Sequence, residues 1–152
     1  KLVVVNMRLI ATAKSQKLTL ESQLEGIQRI KADPVLLRQA MENLISNAVK
    51  YTKGGGLITV KSWYDDKRFH FSVTDNGIGI DEEHLPYVFE SFYRVEALNA
   101  AEQQRGSGLG LSLVYNVVAR HHGDVWVKST VGVGSTFGFW LPLPANDTAD
   151  VA

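Results

Sequence analysis

There is no cysteine in the 152 residues, so neither a disulfide framework nor thiolate metal or redox chemistry is available, and a reducing compartment such as the cytoplasm suits the chain. Long apolar runs are missing too. The longest near the start, residues 2–5, falls far below the roughly 20 residues a membrane span needs, so no direct membrane contact by this chain is expected. Nor is there an excess of either charge sign. Sixteen basic and 16 acidic residues cancel, which removes nucleic acid and anionic membranes as expected main partners and requires any anion site to be local. With 45% hydrophobic and 21% charged residues the composition is that of a folded domain, and the length suits one core rather than two. No internal repeat or low-complexity tract is present.

Residues 1–17 read as a linker or the end of an upstream helix, with weak helical character from Val5 to Lys17. Leu18, Leu20 and Leu24 alternate with polar residues, as a half-buried first strand should. Asp33 and Pro34 open a helix, because Asp can cap free amides while proline at the first position loses no hydrogen bond. Leu36, Leu37, Ala40, Met41, Leu44, Ile45 and Ala48 give that helix its apolar face, and it should run to about Tyr51 before the glycines at 54–56 stop it. Strands are expected at 57–64 and 69–74 around a hairpin connection at 65–68. A turn at Asp75, Asn76 and Gly77 leads to a short helix near 81–89 and then to a polar stretch through Arg105, read as mobile. A helix over 109–122 carries Leu113, Val114, Val117 and Val118, with Gly123 as a left-handed stop. Strands over 125–130 and 136–143 close the domain, and a tail follows from 145. Three amphipathic helices and about five half-polar strands bury their stripes best as a two-layer α/β sandwich: a mixed five-stranded sheet with three main helices on one face, spanning 18–144.

Three segments carry chemistry. Asn43, Asn47, Lys50 and Tyr51 stand at i, i+4, i+7 and i+8 of the first long helix, one polar stripe beside the apolar face. Together they offer hard oxygen ligands, a charge for phosphate and a flat surface for a base, or else a plain solvated face. Residues 75–80 (DNGIGI) follow a strand directly. Their glycines let backbone pass close to a ligand and the carboxylate can accept from an exocyclic amine, although a simple Asn-Gly turn has the same sequence. Residues 106–111 (GSGLGL) lead into a helix whose free amides and dipole suit negatively charged oxygens; a flexible connector reads alike, and the spacing matches neither the phosphate loop nor the dinucleotide fingerprint.

Taken together and in order, these segments resemble the sensor histidine kinases. Residues 43–52 (NLISNAVKYT) resemble the N box, 75–80 the G1 box, 89–94 (FESFYR) the F box, 106–111 the G2 box, and 132–137 (GVGSTF) the last glycine-rich hairpin. The resemblance implies the GHKL or Bergerat fold shared with gyrase-type, Hsp90-type and mismatch-repair ATPases. It implies ATP and Mg²⁺, with Asn47 on the metal and Asn43 assisting, Lys50 toward phosphate and Tyr51 against the nucleotide. Asp75 would take the adenine amino group, with Gly77 and Gly79 making room for the ring and Thr136 supporting that end through water. A lid over 91–105 would close on Phe89 and Phe92 and bring Arg94 toward phosphate. Gly106, Ser107, Gly108, Leu109 and Gly110 would supply amides to the triphosphate. The implied partners are a histidine-bearing dimerisation helix of the same parent kinase and a response regulator receiver domain.

None of the four histidines, His70, His84, His121 and His122, sits in the acceptor motif of that family, so all four are expected to be structural. Three other readings compete. In gyrase- or Hsp90-like ATPases a Glu general base commonly stands where Asn43 is, and Glu42 points about 100° away around the helix. A serine kinase acting on an anti-anti-sigma partner shares the boxes but usually has a shorter lid. A degenerate module would bind nucleotide or a partner without transferring phosphate.

Overall fold

A computed structural model describes residues 2–24, 30–91 and 110–144. A first helix, α1 (Leu2–Ala13), buries Met7 and Ala11 one turn apart, and Ser15 in the left-handed region turns the chain into β1 (Lys17–Gln23). Leu18 and Leu20 pack inward as expected, whereas Leu24 lies past the end of the strand and is exposed. α2 (Pro34–Tyr51) begins where Asp33 Oδ1 accepts from the amides of Val35 (2.9 Å) and Leu36 (3.2 Å). Every residue of its expected apolar face joins the core, with Val49 added.

The far end of α2 is held by residues distant in sequence. Lys14 Nζ donates to the carbonyls of Val49 (2.6 Å) and Lys50 (3.4 Å), and Gln16 Nε2 donates to those of Val49 (2.9 Å) and Thr52 (2.5 Å). Carbonyls that the last helical turn leaves unpaired are thereby satisfied inside the protein.

β2 (Leu57–Tyr64), β3 (Arg68–Asp75), β4 (Asp124–Thr130) and β5 (Gly134–Pro142) complete a mixed sheet of order β1-β2-β3-β5-β4, in which only β1 and β2 are parallel. Strand alternation gives the sheet two faces. Ile58, Val60, Phe69, Phe71, Val73, Phe137, Phe139 and Leu141 point to the helices and are buried with Leu44, Ile45, Val114 and Val118. Each fully buried aliphatic or aromatic side chain here contributes about 1.5–3 kcal/mol. The opposite face carries Trp63 stacked on His70 at 4.9 Å, Trp140 under Arg68 at 3.8 Å, and Trp126 beside Lys128. The predicted two-layer α/β sandwich is the observed one.

Two local expectations change. The short helix is a 3₁₀ turn, Glu82–Tyr87, and it contains Pro86, which has no amide to continue it. After α3 (Gly110–Arg120) the left-handed residue is His122 (φ 63), not Gly123. Gly123 is required for a different reason: a β-carbon there would stand 1.9 Å from the Trp140 carbonyl oxygen. Among the described residues no helix is long and apolar enough to cross a membrane.

Candidate functional site

β3 ends at Asp75, which is 7% exposed, and the turn that follows is tied to several elements at once. Asp75 Oδ1 accepts from the amides of Gly77 (2.9 Å) and Ser135 (3.3 Å). Burial pushes its pKa up from the ordinary 3.8, opposed in part by those two backbone hydrogen bonds. Among the described residues no hydrogen bond engages Oδ2. Asn76 Oδ1 accepts from Leu57 N (2.8 Å), Ile78 N donates to Tyr51 O (3.4 Å), and Gly132 N donates to Ile78 O (2.9 Å). A β-carbon on Gly77 would stand 2.3 Å from Tyr51 O, and one on Gly79 (φ 74) would stand 2.2 Å from Thr130 O. Both glycines are thus demanded by close passage of protein backbone, from the end of α2 and from the end of β4.

Asn43, Asn47, Lys50 and Tyr51 are all half-buried on α2, and Lys50 Nζ lies 5.0 Å from the centroid of the Tyr51 ring. The start of α3 meets the same stripe from the other side. A β-carbon on Gly110 would come within 3.6 Å of Asn43 Oδ1, so glycine keeps the space beside that amide open. Two amide oxygens one helical turn apart are hard donors suited to Mg²⁺, which takes few protein ligands and fills its shell with phosphate oxygens and water. No cluster of three or more His, Cys, Asp or Glu side chains occurs among the described residues. α2 therefore bonds the Asp75 turn at Tyr51 and lies beside the α3 start at Asn43. Arg94, Phe92, Gly106, Ser107, Gly108 and Leu109 lie outside the described residues. Phe89, at the near edge of the expected lid, packs edge-on against Phe137 at 6.0 Å.

Thr136 does not stand where the resemblance implied. Its hydroxyl pairs with Thr74 Oγ1 at 3.0 Å, and both residues sit on the sheet face that turns away from the helices. The strand alternates inward at Ser135, Phe137 and Phe139, so the residue beside Asp75 is Ser135. Its hydroxyl lies 2.7 Å from Ser129 Oγ. Ser129, absent from every motif above, also accepts from Ile80 N at 2.7 Å. Its one legible signal was parity, as a polar residue in the inward row of Val125 and Val127.

Three of the histidines are engaged elsewhere. His70 pairs with Asp65 at 2.6 Å on the outer face, and His84 lies 3.4 Å from Glu83. His121 Nε2 accepts from Asp33 N (2.9 Å), so its hydrogen is on Nδ1, 2.7 Å from Val117 O. The ring thus ties the end of α3 to the cap of α2. His122 lies two residues past the end of α3 opposite Gly110.

Comparison with known proteins places this geometry among nucleotide-binding domains. Residues 32–145 match the family described as histidine kinase-, DNA gyrase B-, and HSP90-like ATPase. The circadian input-output histidine kinase CikA of Synechococcus elongatus is 40% identical over 127 residues, covering 83% of this chain and 17% of that protein. The phosphate regulon sensor protein PhoR of Pseudomonas aeruginosa is 44% identical over 109 residues, covering 72% of this chain and 24% of that protein. The chain thus spans less than a quarter of either of these relatives. Among solved structures, full-length ShkA in complex with AMPPNP superposes with a TM-score of 0.79 at 30% identity, over 93% of this chain and 28% of that one.

Proposed function

The chain belongs to the histidine kinase-, DNA gyrase B-, and HSP90-like ATPase family, and from that premise we propose that it binds ATP with Mg²⁺ and donates the γ-phosphoryl group to a histidine on a separate helix of its parent kinase. The phosphoryl group would then pass to an aspartate of a response regulator receiver domain. The single observation that carries this reading is that α2 meets the aspartate turn at Tyr51 and the glycine start of α3 at Asn43, so that base, metal and phosphate groups have one place to bind.

In this reading Asp75 Oδ2 accepts from the adenine amino group while Oδ1 keeps the turn in place. Asn47 holds the metal with Asn43 beside it, Lys50 faces phosphate, Tyr51 lies against the nucleotide, and Arg94 approaches phosphate from the lid. The amides of residues 106–110 cradle the triphosphate, and Gly110 leaves the space beside Asn43 clear. Mg²⁺, when bound, neutralises charge on the phosphate oxygens. Phosphoryl transfer needs positioning and charge stabilisation more than covalent help. The incoming imidazole nitrogen forms the P–N bond as the bond between the γ-phosphorus and its bridging oxygen breaks, and ADP departs. Asn43 has no basic oxygen to activate water, so hydrolysis is slow. The domain works in the cytoplasm, where ATP is available.

The test is to incubate the chain, labelled ATP and Mg²⁺ with the separately purified histidine-bearing segment of the parent kinase. Acid-labile label should appear on that segment and only when the chain is present. Release of free phosphate without labelling, or label on the chain itself, would contradict the reading.

A further inference from the structure

The Asp75 turn is anchored by β2 through Leu57, by α2 through Tyr51, by the β4–β5 connection through Gly132, and by β4 through Ser129. The Tyr51 and Gly132 anchors are backbone to backbone, and the Leu57 anchor uses the turn's own Asn76. Ser129 differs, because it supplies a side chain from another strand, and its 2.7 Å contact with Ile80 N is the shortest of the set.

The hydroxyl of Ser129 has one hydrogen and two lone pairs, and it has three neighbours. Ile80 N can only donate, so it takes one lone pair. The Gly134 carbonyl, 3.1 Å away, can only accept, so it takes the hydrogen. Ser135 Oγ, at 2.7 Å, could act either way, but with the hydrogen of Ser129 spent it must donate. That leaves the Ser135 oxygen with lone pairs alone, next to the Asp75 carboxylate that accepts from Ser135 N. Two neighbouring groups that can only accept suit a base edge that offers an amino hydrogen and repel one that offers a carbonyl oxygen.

We propose that Ser129 is a positioning residue for nucleobase selection: it pins the turn at Ile80 and sets the direction of the Ser135 hydroxyl, so that the base end favours an amino-bearing purine over an oxo purine. This rests on the reading of Asp75 as the adenine acceptor.

The test compares binding of Mg·ATP and Mg·GTP to the parent and to Ser129→Ala, Ser129→Cys, Ser129→Thr and Ser135→Ala, with thermal unfolding followed in parallel. Ser129→Ala should lower the ATP-to-GTP affinity ratio by about tenfold, and Ser129→Thr, which restores the hydroxyl, should return it to within about twofold. Ser135→Ala, which spares the Ile80 bond, should lower the ratio by about threefold. Ser129→Cys keeps the shape with a weaker hydrogen-bonding group, so it reports in the same direction even if the alanine variant fails to fold. Equal loss of both nucleotides together with a lower melting temperature would make Ser129 merely structural and overturn the inference, as would an unchanged ratio in the alanine and cysteine variants. A parent that binds neither nucleotide would overturn the functional reading, and this inference with it.

Discussion

Two aspartates flank β3, and each uses one carboxylate oxygen in the same way. Asp65 Oδ1 accepts from the amides of Lys67 (2.9 Å) and Arg68 (2.8 Å), and Asp75 Oδ1 accepts from those of Gly77 (2.9 Å) and Ser135 (3.3 Å). Their second oxygens diverge. Asp65 Oδ2 meets His70 Nε2 at 2.6 Å in open solvent, and that bond first and the Lys67 amide next lower its pKa from 3.8 to about 2. Asp75 is buried, and desolvation raises its pKa despite two amide donors. The same residue thus has both oxygens engaged at one end of the strand and, among the described residues, one oxygen without a protein partner at the other. A mostly buried carboxylate with one oxygen unengaged fits the site proposed for Asp75, and a paired surface carboxylate fits a plain turn.

Breaking the two turns at matching positions should separate them most sharply. Gly77→Ala would put a β-carbon 2.3 Å from Tyr51 O, so the turn and α2 must part. We expect a loss of about 3 kcal/mol in urea unfolding and the disappearance of ATP binding. Lys67→Ala, at the same place in the Asp65 turn but with an exposed side chain, should change neither. Equal behaviour of the two variants would refute the close passage.

The next effect comes from the carboxylates themselves. Asp75→Asn keeps one oxygen for Gly77 and Ser135 but points an amino group where the second oxygen was. Calorimetric ATP affinity should fall roughly tenfold to hundredfold, the size of an unpaired polar contact of about 1–3 kcal/mol. Its unfolding midpoint should hold or rise, since a desolvated charge is gone. Asp65→Asn should leave ATP affinity untouched and lower the midpoint slightly.

The smallest effect is in the pH dependence, and its sign differs between the two. Because the folded pKa of Asp65 is depressed, its stabilisation is present above pH 3.8 and is lost as pH falls toward about 2. Because that of Asp75 is raised, its contribution is fully present below pH 3.8 and is lost as pH rises through the elevated value, so the ionised group opposes folding at neutral pH. Unfolding curves from pH 2 to 7 should therefore show parent and Asp65→Asn converging in acid with the parent ahead at neutral pH. Parent and Asp75→Asn should converge in acid with the variant level or ahead at neutral pH. Parallel curves for both variants would remove the contrast.

How much of this was legible depends on sequence distance. The first turn of α2 could be read from Asp33 and Pro34, because cap and capped amides are two and three residues apart. The last turn could not, since Lys14 and Gln16 reach it across 33 to 36 residues. Strand 57–64 was placed by its alternation. That same alternation, applied to Phe137, Phe139 and Leu141, turns Thr136 outward and Ser135 inward. Gly123 reads as a conformational requirement, but the need for it is a neighbouring strand's carbonyl, which no local pattern reveals. The polar stretch after Phe92 has little periodicity, and Arg94 and the residues at 106–109 within and after it lie outside the described residues.

The most direct measurement is a ¹⁵N-amide NMR titration of the chain with AMPPNP and Mg²⁺. Amides near Asn43 and Asn47, those of residues 75–80, and that of Gly110 should shift together along one binding curve, while the indole signals of Trp63, Trp126 and Trp140 on the outer sheet face stay still. Shifts confined to one of those three places, or following separate affinities, would show that they do not enclose a single nucleotide.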